Sequence, residues 1–157
     1  MTNVYTGSSP GIRVPPPLVY LAGFGCGLLV ELVSPSPELP GWLRVAGAVV
    51  GIVLLLLLDT RAMLRFQRHA TPFNPARPAQ ALVTDGPYRF TRNPMYIGMA
   101  CAYAGAAIAA STLWPLAFLP GVLFVIDRAI IPREERHLAE RFGEVYERYR
   151  RRVPRWL

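Results

Sequence analysis

Two groups of residues in this chain can do chemistry, and they lie far apart in the sequence. The first is Gly86-Pro87-Tyr88-Arg89-Phe90-Thr91-Arg92-Asn93-Pro94-Met95-Tyr96-Ile97-Gly98, which sets turn formers, arginines and tyrosines against the start of an uncharged run, Pro94 to Leu113. Pro94 suits a first helical turn, where its missing N–H costs nothing. The free amides and positive dipole end of that helix attract a carboxylate or a phosphate. Arg89 or Arg92 is suited to grip such a group with two parallel hydrogen bonds; equally, arginines at a helix end are what a cytoplasmic orientation requires. Tyr88, Tyr96 and Tyr103 serve either as interfacial or packing aromatics or as the walls of a pocket for a cation.

The second group is Glu134-Glu135, just after Pro132. These residues open an amphipathic helix whose apolar stripe is Leu138, Phe142, Val145 or Tyr146, and Tyr149. Glutamates are favourable at a helix start for that reason alone. If the chain returns them to the neighbourhood of Arg92, opposite charges converge on one ligand, and a zwitterion or a polyhydroxy compound suits them.

The elements that must position these groups are membrane helices. Of 157 residues, 52% are hydrophobic and 17% charged, too apolar for an ordinary soluble domain of this size. Spanning a bilayer takes about 20 apolar residues, and Pro17 to Val33, Trp42 to Leu58, Pro94 to Leu113 and Trp114 to Ile131 approach that length. The sequence predicts an all-α integral membrane protein with four transmembrane helices, a C-terminal helical hairpin and a cytoplasmic amphipathic C-terminal helix. The third helix is rich in Ala and Gly, which lets neighbouring backbones approach. The fourth contains Pro115, Pro120 and Gly121, which predict a kink and an early exit into water at Asp127-Arg128.

All 17 basic residues are Arg, and all but Arg13 and Arg44 are concentrated between Arg61 and Arg92 and from Arg128 to Arg155. Both regions are expected in the cytoplasm, with the connections 34–41 and 111–113 outside and both termini inside. The net charge of +7 hugs the expected membrane boundary, so anionic headgroups account for it more simply than nucleic acid does. The tail Tyr149 to Trp156 combines a basic cluster with a Trp anchor, suiting a segment on the membrane surface or a cap on the pocket. Cys26 and Cys101 read as small buried hydrophobes, and His69 and His137 have no companions at metal-ligand spacing.

The chain then divides into a flexible N-terminus at 1–16, a two-helix anchor at 17–58, a cytoplasmic linker at 59–93 that includes a shaped loop from Thr71 to Pro78, and a half at 94–157. With 82–93, that last half forms the catalytic part.

Arg92-Asn93-Pro94-Met95-Tyr96-Ile97-Gly98, followed by Glu134-Glu135, by Phe142 to Tyr149 and by Val153-Pro154-Arg155, resembles the isoprenylcysteine carboxyl methyltransferase family and the related phospholipid N-methyltransferases. The resemblance covers roughly Leu82 to Trp156. It implies a membrane enzyme that uses S-adenosylmethionine, held by the cytoplasmic ends of the last two spans and the C-terminal segment. A lipophilic acceptor would enter sideways from the bilayer. Matched position by position, Arg92, Asn93, Pro94, Tyr96 and Gly98 line the cofactor site and Glu134 and Glu135 add carboxylates; Tyr88, Tyr146 and Tyr149 are further wall candidates. Arg92, Asn93 and Glu135 are the expected catalytic set. The eukaryotic prenylcysteine enzymes carry His where this chain has Asn93, and an amide hydrogen-bonds without carrying a proton.

The expected function is methyl transfer to a lipophilic or amphiphilic small acceptor bearing a carboxylate, amine or thiol, in a prokaryotic cytoplasmic membrane. Two other readings are a membrane reductase of sterol-reductase type using NADPH and a small four-helix exporter. An exporter needs a coupling charge deep in the membrane, and Glu31 lies near the outer end of its span.

Overall fold

The computed structural model describes residues 14–68 and 82–157, with side chains throughout except at 66–68. Most of the expected lead-in at 1–16, all of the Thr71 to Pro78 loop and His69 lie outside the described residues.

Every described element is helical. In order these are α1 (Pro16–Val33), α2 (Gly41–Arg68), a 3-10 turn (Gly86–Arg89), α3 (Pro94–Ala109), α4 (Trp114–Val125), a π turn (Ile126–Ile130), α5 (Ile131–Phe142) and α6 (Glu144–Arg152). Three stretches are long and apolar enough to cross a membrane: Pro16–Val33, Gly41–Arg65 and Trp114–Phe142. At 16 residues α3 is apolar but shorter. It measures about 24 Å against a hydrocarbon core of about 30 Å.

The boundaries depart from the expectation in three places. α2 runs on past Leu58 to Arg68, because 59–68 holds neither Gly nor Pro and so contains no helix breaker. The fourth helix runs without a break into α5; Pro132 cannot donate to the carbonyl one turn before it, and the chain absorbs this in the π turn immediately upstream. Its apolar part ends at Ile131, and the charges of Arg133-Glu134-Glu135-Arg136 follow in the continuation. The expected single amphipathic helix is broken at Gly143, whose φ of 53° lies in the left-handed region, so the stripe is split. Tyr146 is 1% exposed, whereas Val145 is 53% exposed.

Packing pairs α2 with α3 and α1 with α4. The α2/α3 seam is made by glycine: a Cβ on Gly105 would lie 2.6 Å from the Gly47 carbonyl oxygen and 2.8 Å from the Gly51 Cα, so the backbones touch directly. Along α1/α4, a Cβ on Gly27 would lie 2.5 Å from Pro115. The short connection at 111–113 is as expected, but the main partners of α3 and α4 are α2 and α1 rather than each other. At that end of the bundle the two connections interlock, with Leu39 N donating to Ser111 Oγ (2.6 Å), Leu113 N to Ser36 Oγ (3.0 Å) and the Trp114 indole to Ser34 O (2.6 Å). Glu31 accepts from Ser36 there, and Arg44 Nε donates to the Ala109 carbonyl at the end of α3 (3.0 Å).

The buried core is one cluster of Tyr20, Tyr96, Tyr103, Val122, Ile126, Ile130 and Ile131, with a smaller one of Ala62, Val83 and Tyr88 under Met95 and Tyr149. Val45, Val49, Ile52 and Leu56 leave an exposed apolar face along α2, and Cys26, expected inside, is exposed on α1. An apolar face of this kind is what a bilayer covers. The chain is an integral membrane protein.

Candidate functional site

The residues of the two chemical groups meet at one end of the bundle. Pro94 starts α3, and Asn93 before it has φ −128° with no side-chain cap on the helix. Its amide Nδ2 instead donates to the Arg155 carbonyl (3.0 Å), which also accepts from Thr91 Oγ1 (2.9 Å). Arg92 N donates to Pro154 O (3.0 Å). The C-terminal segment is therefore stitched along the turn that leads into α3, and Thr91, 2% exposed, satisfies its hydroxyl in that seam.

Side chains complete the closure. Arg92 pairs with Glu135 at 2.7 Å, at side-chain exposures of 12% and 11%. Arg155 grips the same carboxylate with two nitrogens, Nη2 to Oε2 at 2.6 Å and Nε to Oε1 at 3.2 Å. Its remaining arm reaches Asp127 at 3.1 Å, and Asp127 also accepts from the Trp156 indole at 2.9 Å. These bonds hold the Arg155 guanidinium firmly charged, Glu135 first among the causes. A buried pair is sound only when its remaining hydrogen-bonding capacity is met, and two arginines on one glutamate, with Asp127 behind, meet most of it. The exception is Arg92 Nε, a buried donor with no partner among the described residues.

Beside this network the Tyr96 hydroxyl donates to Glu134 Oε1 (2.8 Å), while the Tyr20 hydroxyl donates to the Tyr96 carbonyl (2.8 Å). Burial pushes the Glu134 carboxyl up to about 7, with the Tyr96 hydrogen bond pulling the other way and Glu135 adding to the rise. Arg92 Nη1 reaches the Tyr146 hydroxyl (3.4 Å), Tyr146 and Tyr149 stand with ring centroids 6.3 Å apart, and the Tyr149 hydroxyl donates to the Tyr88 carbonyl (2.8 Å). Burial, followed by the charges of Tyr149, Glu134 and Asp59, raises the Tyr88 phenol. A Cβ on Gly98 would lie 2.8 Å from Asp59 Oδ1, so only a glycine leaves that carboxylate where it is.

Arg92, Asn93, Pro94, Tyr96, Glu134, Glu135, Tyr146, Tyr149 and Tyr88 thus come together, with Gly98 one turn further along α3 against Asp59. Arg89, the other candidate clamp, is exposed. Five contributors were not singled out from sequence, first among them Arg155, which carried only its place in Val153-Pro154-Arg155. Thr91 carried no signal beyond its place in the motif. Asp127 and Asp59 read as the ends of apolar runs, and Trp156 as a membrane anchor; the signal available for the two acids was a lone carboxylate at the edge of a span.

Residues 43–145 match the family of phospholipid methyltransferases. Over 73 residues the chain is 34% identical to the Protein-S-isoprenylcysteine O-methyltransferase of Schizosaccharomyces pombe, a stretch covering 46% of this chain and 31% of that one. Over 51 residues it is 45% identical to an uncharacterized protein of Haemophilus influenzae, covering 29% of this chain and 81% of that one. The chain therefore spans about a third, 31%, of the length of its yeast relative. The match takes in α2, the turn into α3, α3, α4 and α5 with Glu134 and Glu135, and it extends over well more than half of the sequence. This chain is a member of the phospholipid methyltransferase family.

Proposed function

We propose that the chain is an S-adenosylmethionine-dependent methyltransferase acting at the cytoplasmic face of the membrane on a lipophilic or amphiphilic acceptor with a carboxylate, amine or thiol. The observation that carries this reading is the buried Arg92–Glu135–Arg155 network, which joins the start of α3, α5 and the C-terminal segment around one end of the bundle.

The residues present fit such a cofactor. Arg92 Nε is a buried donor without a partner among the described residues, suited to a carboxylate. Glu134, engaged by Tyr96, has acceptor capacity left for hydroxyl or amino groups. When bound, S-adenosylmethionine supplies an activated methyl group on a cationic sulfur. The protein's part is alignment, worth several kcal/mol of such a barrier. Glu135 holds Arg92 in place. Asn93 ties the C-terminal segment down through Arg155, and Tyr88, Tyr146 and Tyr149 exclude water from the same end. Pro94 and Gly98 shape the face of α3 that a ligand meets.

The same reading includes four spans with both termini in the cytoplasm of a prokaryotic cell. Support comes from the pairing of α3 along the full apolar part of α2, from the arginines at the site's end of the bundle, and from the short connections at the other end, where the one arginine of the region, Arg44, is occupied in capping α3. It also keeps the division into anchor, linker and catalytic half. The exporter reading loses its coupling charge, since Glu31 is bonded to Ser36 in an interhelical connection.

Calorimetric titration of detergent-purified protein with S-adenosylmethionine tests the proposal. Wild type is expected to bind, with Arg92→Ala and Glu135→Gln each losing at least about tenfold, the scale of one buried charged hydrogen bond. Absence of binding by the wild type, or binding of NADPH in its place, overturns it.

A further inference from the structure

Asp59 is the carboxylate the site has left unexplained. It lies on α2, beyond the aliphatic run, half-buried against α3, and its buried Oδ1 accepts no hydrogen bond from any described residue. Of the described arginines next to it on α2, Arg65 is turned to Asp85 at 2.7 Å and Arg61 is exposed. A carboxylate at the membrane edge of a helix with one oxygen buried and unsatisfied is costly and marks a functional site more often than a structural one. The opposing surface is bare backbone, because Gly98 carries no Cβ and an alanine methyl there would come within 2.8 Å of Oδ1. Gly98 stands four residues beyond Pro94, about 6 Å along the helix axis. A ligand whose carboxylate meets Arg92 Nε at the start of α3 and which carries a positive charge a few bonds further along a short carbon chain would place that charge at the depth of Gly98. Behind burial and Tyr149, the charges of Glu134 on α5 and Asp59 on α2 both raise the Tyr88 phenol.

Resting on the methyl-donor reading above, we infer that Asp59 is a further binding residue of the site, its carboxylate, seated against the bare backbone of Gly98, supplying the negative charge that favours the cationic sulfur of S-adenosylmethionine. A carboxylate there favours the charged donor over the demethylated product, S-adenosylhomocysteine, whose sulfur is neutral. It thereby favours release of product after each transfer.

Titration calorimetry of the full chain in detergent, with S-adenosylmethionine and S-adenosylhomocysteine in turn, separates the possibilities. Asp59→Asn is expected to weaken S-adenosylmethionine about tenfold while S-adenosylhomocysteine stays within about twofold, since only the charged ligand loses a coulombic partner. Retained product binding also reports a folded site. Gly98→Ala, which crowds Oδ1, is expected to narrow the same preference. Equal loss for both ligands, or no change in either, overturns the role of Asp59 and leaves the methyltransferase reading standing; a wild type that binds neither ligand overturns both.

Discussion

At the scale of single residues, Glu135 is the hinge of the electrostatics. It is 9% exposed and neutralises two arginines from different parts of the chain. Removing one partner of a buried pair leaves an uncompensated charge, so Glu135→Ala is expected to destabilise by about 3 kcal/mol. Arg128→Ala, which cuts a pair whose arginine is 69% exposed, is expected to change stability by under about 0.5 kcal/mol. Thermal unfolding in detergent measures both, and equal shifts for the two would contradict the network. Glu134 predicts a pH dependence. Burial raises its carboxyl from 4.5 to about 7, so the fold favours the protonated form. Its contribution to stability is present in full below 4.5 and is lost as pH rises through about 7. Donor affinity has the opposite sign if the ionised carboxylate is what accepts the ligand's hydroxyls. Affinity is expected to rise between about pH 6 and 8, and Glu134→Gln to flatten the profile in titrations across that range.

At the scale of elements, the site depends on how closely α2 and α3 approach. Gly105→Leu would drive a side chain into the Gly47 carbonyl and is expected to cost about 1–3 kcal/mol, with loss of donor binding as α3 moves off α2. Gly121 in α4 has open space where a Cβ would stand, with nothing within 4 Å, so Gly121→Ala is expected to be neutral or stabilising by up to about 1 kcal/mol. Melting temperatures of the two variants check the contrast. The C-terminal segment is the other decisive element. Ending the chain after Arg152 removes the carbonyls that receive Thr91, Arg92 and Asn93, together with Arg155 itself. Such a protein is expected to remain helical by circular dichroism but to bind no donor; undiminished binding would show that the tail is only a surface anchor.

At the scale of the whole molecule, the two ends of the bundle differ in kind. One is closed by loops that hold no basic residue and are locked through Ser36 and Ser111, and the other carries the two arginine clusters and the site. With Cys26 and Cys101 replaced by Ala, a cysteine at Glu38 is expected to react with a membrane-impermeant maleimide in intact cells, and one at Leu157 only after lysis. Labelling of both from the same side would refute the four-span arrangement. The exposed apolar flanks of α1 and α2 are the surfaces along which a lipophilic acceptor would reach the site.

Hydropathy and turn chemistry are local properties, which is why the helices, the proline that opens α3 and the short 111–113 connection were legible in the sequence, whereas Arg92, Asn93, Tyr96, Glu134 and Glu135 were singled out as a set by resemblance to a family. Length and composition likewise determined that the chain belongs in a bilayer, since an apolar run carries its own solvent preference. Helix partners were not legible: apolarity says that α3 packs but not on what, and the Gly47–Gly51–Gly105 seam emerges only when two backbones are in register. Lone acids were equally mute. Asp127 and Asp59 look alike as charges at the ends of apolar runs, yet one is bonded to Arg155 and Trp156 and the other has no hydrogen-bond partner among the described residues. Tertiary structure alone decided that difference, because the energy of a buried charge is set by what surrounds it rather than by its neighbours along the chain.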